Sequence, residues 1–263
     1  MGDAFLNFPH VTLLITHYNR SRSLERLLNA FRERKILFAD TVVSDDGSIE
    51  EHVTYLEHLQ AVYGFNLITS PVNKGLGNNI NKGQDAVKTD FTLYVQEDFV
   101  PKNDFAAVCE EALLLMQKKT TIDIVRLYAY FSYPYRKPFA KGFSEMIFHP
   151  MPWYTNHLKF YVYSDHPHLR RSNFLQKFGR YPEGIKGDDT EFGMALSFLK
   201  RRGKGLIYDD FTNVFDQLNS PGEPSTMQRS NWRQQKKIFV ILLRAVYLSY
   251  RLLRNTGQYI KKK

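Results

Sequence analysis

Strand-like apolar runs alternate with helix-like stretches through the first half of this chain, and that alternation constrains its fold more than any other feature. Residues 11–16 (VTLLIT), 41–44, 65–69 and 91–95 read as strands. The first and last are almost wholly apolar, as strands covered on both faces must be. Between them Leu24, Leu27, Leu28 and Phe31 recur at helical spacing, with Ser21 or Ser23 available as N-cap. Ser48, Ile49, Glu50 and Glu51 fit a capping box ahead of Val53, Leu56, Leu59 and Tyr63. Helices are also expected over residues 78–87 and 105–116, and around Phe192, Ala195, Leu196 and Leu199. The expectation is an α/β fold, a mainly parallel sheet flanked by helices on both faces.

Sheets of this kind bind ligands beyond the carboxyl ends of their strands. The residues there are Thr16-His17-Tyr18-Asn19, Asp45-Asp46-Gly47-Ser48 and Gln96-Glu97-Asp98, three polar clusters expected on one rim. Acids after a strand can hold a divalent cation that bridges diphosphate oxygens, because hard cations prefer carboxylate ligands. The same acids can simply open a solvated loop, and Asp-Gly-Ser is also ordinary turn chemistry.

The length of 263 residues suits one sizeable domain. The net charge of +9 is uneven: from Arg229 onward there are 10 Lys or Arg and no acid, leaving 26 basic against 27 acidic residues elsewhere. One cysteine, Cys109, excludes an internal disulfide framework and sits among apolar helical positions, as a core residue would. The first residues lack a basic and then apolar leader pattern, and no apolar run is long enough for a membrane span. A cytoplasmic site of action is expected. No recognised nucleic-acid motif accompanies the charge, so nucleic acid is not an expected partner.

Residues 128–163 are rich in aromatics and prolines and read as short strands and loops over the sheet. Most of these rings are expected in the core, with Trp153 and Tyr154 the candidates for stacking on an acceptor. His166-Pro167-His168 reads as a surface loop. The domain boundaries follow: residues 1–218 as the domain, 219–228 as a linker, and 229–263 as a basic amphipathic helical extension. In that extension Lys237, Arg244 and Arg251 share a helical face, with Arg233 and Arg254 nearby and Trp232, Tyr247 and Tyr250 as interfacial side chains. Such a helix can lie on an anionic membrane surface, or pack on its own domain or a second subunit.

In order, VTLLITHYNR (residues 11–20), VVSDDGS (42–48), NKGLGN (73–78) with Asn81 and Gly83, and LYVQED (93–98) resemble the family 2 glycosyltransferases of the GT-A fold. The resemblance covers residues 11–216 and implies a Rossmann-like GT-A domain moving a sugar from a nucleotide-sugar donor. The acceptor it implies is a glycan or a lipid-linked glycan, in polysaccharide biosynthesis near the inner face of the cell membrane. By the same resemblance Thr16, Tyr18, Asp45, Asp46, Asn78, Gln96 and Glu97 fall at donor positions. Asp98 ends the DXD-like motif as ligand of a divalent cation, Mn or Mg. Asp189 in KGDDTE (residues 186–191) falls at the catalytic base, with Asp188 and Glu191 beside the acceptor.

Three positions depart from the family pattern. Gln96 replaces the first acid of DXD, Ile80 stands where many members carry Arg, and Asp216 or Gln217 stands where many have a metal-binding His. Independently of the resemblance, Asp188 with Glu191 also fits a capping box. Glycosyl transfer with one base and one charge sink on opposite sides of the sugar implies inversion. A nucleotidyltransferase would instead carry a Gly-rich phosphate loop after the first strand, where this chain has Thr16-His17-Tyr18-Asn19. A catalytically silent nucleotide-binding scaffold at a membrane is the reading from another class.

Overall fold

In the first strand Val11, Leu13 and Ile15 are buried against one layer of helices and Leu14 against the other, so the strand is covered on both faces. The computed structural model describes residues 5–151, 153–220, 222–223 and 238–261. Its elements begin β1 (Leu6–His17), α1 (Ser21–Glu33), β2 (Ile36–Asp45), α2 (Glu50–Tyr63), β3 (Asn66–Ile68), α3 (Leu76–Asp85) and β4 (Phe91–Gln96). Then come β5 (Phe99–Pro101), α4 (Phe105–Lys118), β6 (Ile124–Arg126), β7 (Arg136–Ala140) and β8 (Phe143–Met146). The last are β9 (His168–Arg171), α5 (Phe174–Phe178), α6 (Gly187–Lys200), β10 (Gly205–Tyr208), β11 (Phe215–Gln217) and α7 (Ile238–Ile260).

Among the described residues nine strands form one sheet in the order β3-β2-β1-β4-β9-β6-β10-β8-β7. The β3-β2-β1-β4 half is parallel, as the helical crossovers require. Strand β9 runs antiparallel to both β4 and β6, and the β8-β7 edge is antiparallel too, so the sheet is mixed and mostly parallel at the rim of interest. β5 and β11 form a separate antiparallel pair.

One layer packs Leu24, Leu27 and Phe31 of α1, Leu56 and Leu59 of α2, and Val108, Ala112 and Met116 of α4 on the sheet, with Cys109 fully buried among them. The other layer packs Ile80 of α3, Phe174 and Phe178 of α5, and Met194, Ala195 and Phe198 of α6. A Cβ on Gly83 would lie 2.6 Å from the Leu14 side chain and 2.9 Å from that of Ser44. Only glycine lets α3 rest that closely on β1 and β2, which fixes the segment before it at the strand ends. Within the aromatic stretch Tyr133, Phe143, Phe160 and Tyr163 are buried, while Phe131 and Trp153 are exposed.

The helix starts differ from the sequence expectations. Ser48 does not cap α2, whose N-cap is Ile49; its hydroxyl donates to Asp45 instead. Neither Ser21 nor Ser23 caps α1. The Arg22 and Ser23 amides donate to the Glu223 carboxylate, at 2.9 and 2.8 Å, so a residue distant in sequence supplies the acceptor. Asp188 is inside the first turn of α6 and Lys186 is its N-cap.

Glu223 therefore anchors part of the segment read as a linker, and Asn219 is anchored as well, accepting from Arg20 at 2.7 Å. Pro221, Pro224, Arg229, Trp232, Arg233 and Lys237 lie outside the described residues. Helix α7 packs Leu252 and Tyr259 on the second layer and buries Asn255. Arg251 donates to the Tyr161 hydroxyl, and Lys200 donates to the Lys261 carbonyl at 2.8 Å.

Candidate active site

A cavity of about 520 Å³ opens at the carboxyl ends of β1, β2 and β4. Thr16 and Tyr18 line it at the end of β1, Asp46 after β2, and Gln96, Glu97 and Asp98 at the end of β4. Asp188 and Glu191 reach it from the first turns of α6. The three rim clusters do converge, as a parallel sheet with these strands adjacent requires.

Arg20, the residue that precedes α1, is the charge centre of one wall. It is buried, with Nη1 3.2 Å from Glu97 and 3.3 Å from Asp98. Its Nη2 donates to Asn219 and to the Glu223 carbonyl. Burial and the neighbouring Asp98 charge push the Glu97 carboxyl up to about 8 against the pull of Arg20. Asp98 Oδ2 accepts from the Gln217 amide at 2.8 Å, while Oδ1 is buried without a hydrogen-bond partner.

Asp45 and Asp46 have separate places. Asp45 is fully buried and off the cavity wall, held by His17 Nδ1 at 2.7 Å, by Ser48, and by the Gly47 and Ser48 amides. Burial raises its pKa and these bonds outweigh it, leaving the carboxyl below the ordinary value. With its oxygens engaged by this network, Asp45 supports the turn from inside, which departs from its expected contact with a donor. Asp46 does line the wall, and its carboxylate accepts from the Lys74 and Gly75 amides at 3.0 and 2.9 Å. Thr16 shares a hydrogen bond with the Tyr94 hydroxyl at 3.0 Å.

The opposite end is acidic. Gln96 donates to Asp165 at 3.2 Å, and the Asp165 amide donates to Glu191 at 3.3 Å. Burial, then the Glu191 charge and hydrogen bond, push the Asp165 carboxyl well above its usual range. His166 lines the cavity and His168 is fully buried in β9, its Nδ1 donating to the His166 carbonyl. The expected surface loop is thus part of the wall and of the sheet.

Four other expected residues are off the wall. Asn78 turns to Glu183 at 2.8 Å, and its neighbour Asn79 lines the cavity. Asp189 is 3.8 Å from Arg254 of α7, with half its side chain exposed. Successive helical residues differ by about 100° around the axis, so Asp188 and Glu191 share a face that Asp189 does not. Tyr154 stacks on His149 with ring centroids 3.9 Å apart, and Trp153 is 69% exposed; neither reaches the cavity. Arg20, Tyr130, Asp165, His166, Gln217 and Asn219 line it without having been anticipated as site residues, apart from Gln217 as a possible metal contact.

The donor set suits a cation held by few protein ligands. Among the described residues no three His, Cys, Asp or Glu side chains gather as a metal site. The buried, unpartnered Oδ1 of Asp98, a residue that lines the cavity, is nonetheless a hard oxygen ligand. Of the two residues considered in place of a histidine, Gln217 meets Asp98, whereas Asp216 is 3.3 Å from Lys102.

The family model described as glycosyl transferase family 2 matches residues 12–179. No curated protein matches the chain in sequence. Among solved structures, S. aureus TarS 1-349 superposes with a TM-score of 0.56 at 15% identity, over 78% of this chain and 59% of that one. The same fragment in complex with UDP-GlcNAc gives 0.56 at 12%, over 95% and 71%. The mannosyltransferase PcManGT from Pyrobaculum calidifontis, in complex with GDP-Man and Mn2+, gives 0.52 at 13%, over 97% and 76%. At these identities the likeness is one of fold. The chain spans about three-fifths of the first of these structures.

Proposed function

The chain belongs to glycosyl transferase family 2, and on that premise we propose that it transfers a hexosyl unit from a nucleotide-sugar donor to a glycan or lipid-linked acceptor. The observation that carries this reading is the shared cavity: Asp98 stands on one wall and Asp188, at the start of α6, on another. Attack on the anomeric carbon needs a base on one side of the sugar and a charge sink on the other, which is single displacement with inversion.

On this reading Tyr18 lies along the nucleotide base, and Thr16 and Asp46 border the nucleoside. Asp45 holds their turn in place from behind. Asp98 would hold a divalent cation through its unpartnered Oδ1, aided by Gln217. When bound, the cation offsets the charge that develops on the leaving diphosphate. Gln96 and Glu97 shape the same wall, and Arg20 keeps the two acids together.

Asp188 takes the acceptor proton in this proposal, because of the two aspartates of KGDDTE it is the one on the cavity wall. Glu191, one turn further on, borders the acceptor hydroxyl. A nucleotide-sugar donor is also the ligand class in the TarS and PcManGT complexes, and PcManGT carries Mn2+. A thermal-shift panel of UDP, GDP, dTDP and CMP, each with and without Mn2+, tests the donor side. One nucleoside diphosphate should raise Tm, and more so with Mn2+. No shift with any of them contradicts the proposal.

A further inference from the structure

Helix α7 presents apolar side chains on two opposite faces. Leu252, Asn255 and Tyr259 turn into the protein. About half a turn around the axis, Leu243, Val246, Tyr250, Leu253 and Ile260 are exposed, Val246 at 69%, Tyr250 at 62% and Leu253 at 71%. Their spacing of three, four, three and seven residues is that of one helical face. Exposed apolar side chains aligned on one outward face mark a binding surface rather than scattered surface residues.

We infer that this stripe docks in the headgroup and acyl boundary of an anionic lipid bilayer, with α7 lying along the surface. Charge decides between a bilayer and a second copy. Helix α7 carries Arg244, Arg251 and Arg254 and no acid, and Lys261 follows it. Two copies meeting stripe to stripe would bring like charge together, whereas anionic headgroups neutralise it. Among the described residues no helix is long and apolar enough to cross a membrane, so α7 lies on the surface. Tyr250 supplies the amphipathic ring favoured at that depth.

The basic residues of the helix have a divided role. Arg251 reaches the Tyr161 hydroxyl and Arg254 is 3.8 Å from Asp189, so both hold α7 against the domain and keep its apolar stripe outward. Arg254 thereby joins the lipid-facing helix to the first turn of α6, the turn that also carries Asp188. The start of α6 is then about one helix diameter, on the order of 10 Å, from the lipid surface. The docking stands independently of the transfer chemistry.

Vesicle sedimentation of the full chain tests it. The probes are phosphatidylcholine vesicles with and without ~30% phosphatidylglycerol. The chain should pellet with the anionic vesicles, and at least about tenfold less should pellet with pure phosphatidylcholine or at high salt. The double variant Val246→Asp, Leu253→Asp should stay in the supernatant while keeping the wild-type circular dichroism spectrum and Tm, since both positions are exposed. Wild type remaining soluble, or the variant pelleting equally, would overturn the inference. So would light scattering that shows a wild-type dimer and a monomeric variant, because the stripe would then belong to a second copy.

Discussion

Arg20 places one guanidinium nitrogen 3.3 Å from Asp98 and 3.2 Å from Glu97, while the other donates to Asn219. One buried cation thus joins the strand-end acids to the segment after β11. Removing it leaves two buried carboxyls facing each other, and unpaired buried charge costs about 3 kcal/mol. Arg20→Met should lose that much stability in urea denaturation. Adding Asp98→Asn should restore part of it, since Glu97, already pushed up to about 8, is then left facing no charge. A single variant as stable as wild type would show that Arg20 does not hold this wall together.

In the proposed function Asp98 holds the cation. Saturating a native-state site with ligand at ~100 times Kd stabilises by about 2.7 kcal/mol. The Mn2+-dependent part of the Tm gain with the preferred nucleoside diphosphate should disappear in Asp98→Asn. Undiminished Mn2+ dependence in that variant would move the cation elsewhere.

Acid should weaken the fold through two buried histidines. Burial lowers His17 and His168 from the ordinary value of 6.5, His168 far below it, so both are neutral in the folded chain. Once exposed by unfolding they regain the ordinary value, and below about pH 6.5 the unfolded chain binds the extra protons. Their contribution to stability is intact above that pH and is lost as pH falls toward the lowered values. Tm should drop between about pH 7.5 and about 5.5, and His168→Gln should flatten that drop. Parallel pH profiles for wild type and variant would rule out His168 as a source.

Much of this architecture was legible in the sequence because period and punctuation are local signals. The apolar runs gave β1 to β4, and the polar residues closing those strands meet at one rim. The expected strands at residues 11–16 and 41–44 were shorter than β1 and β2, whose first residues are paired through Leu6 with Ile36 and Phe8 with Phe38. Register between distant strands supplies that extension, and no single run displays it. The helix caps misled for a related reason: Glu223 holds the start of α1 and Asp45 captures Ser48.

Within the site, a motif carries residue types but not their rotation. KGDDTE points to three acids, yet helical geometry sends Asp188 and Glu191 to the cavity and Asp189 toward Arg254. Arg20 stood directly after Thr16-His17-Tyr18-Asn19 and could have been noticed as a positive charge on an acidic rim. Asp165 had no such local signal, since it reaches the wall through tertiary packing.

Rates and nucleotide binding measured together on Asp188→Asn and Asp189→Asn test most directly whether the acid facing the cavity is the base. Asp188→Asn should keep the wild-type thermal shift with nucleotide and lose about 10²- to 10⁴-fold in transfer or donor hydrolysis. Asp189→Asn, which removes only a half-exposed ion pair, should stay within about threefold of wild type. The reverse ranking, or an undiminished rate in Asp188→Asn, would contradict that assignment.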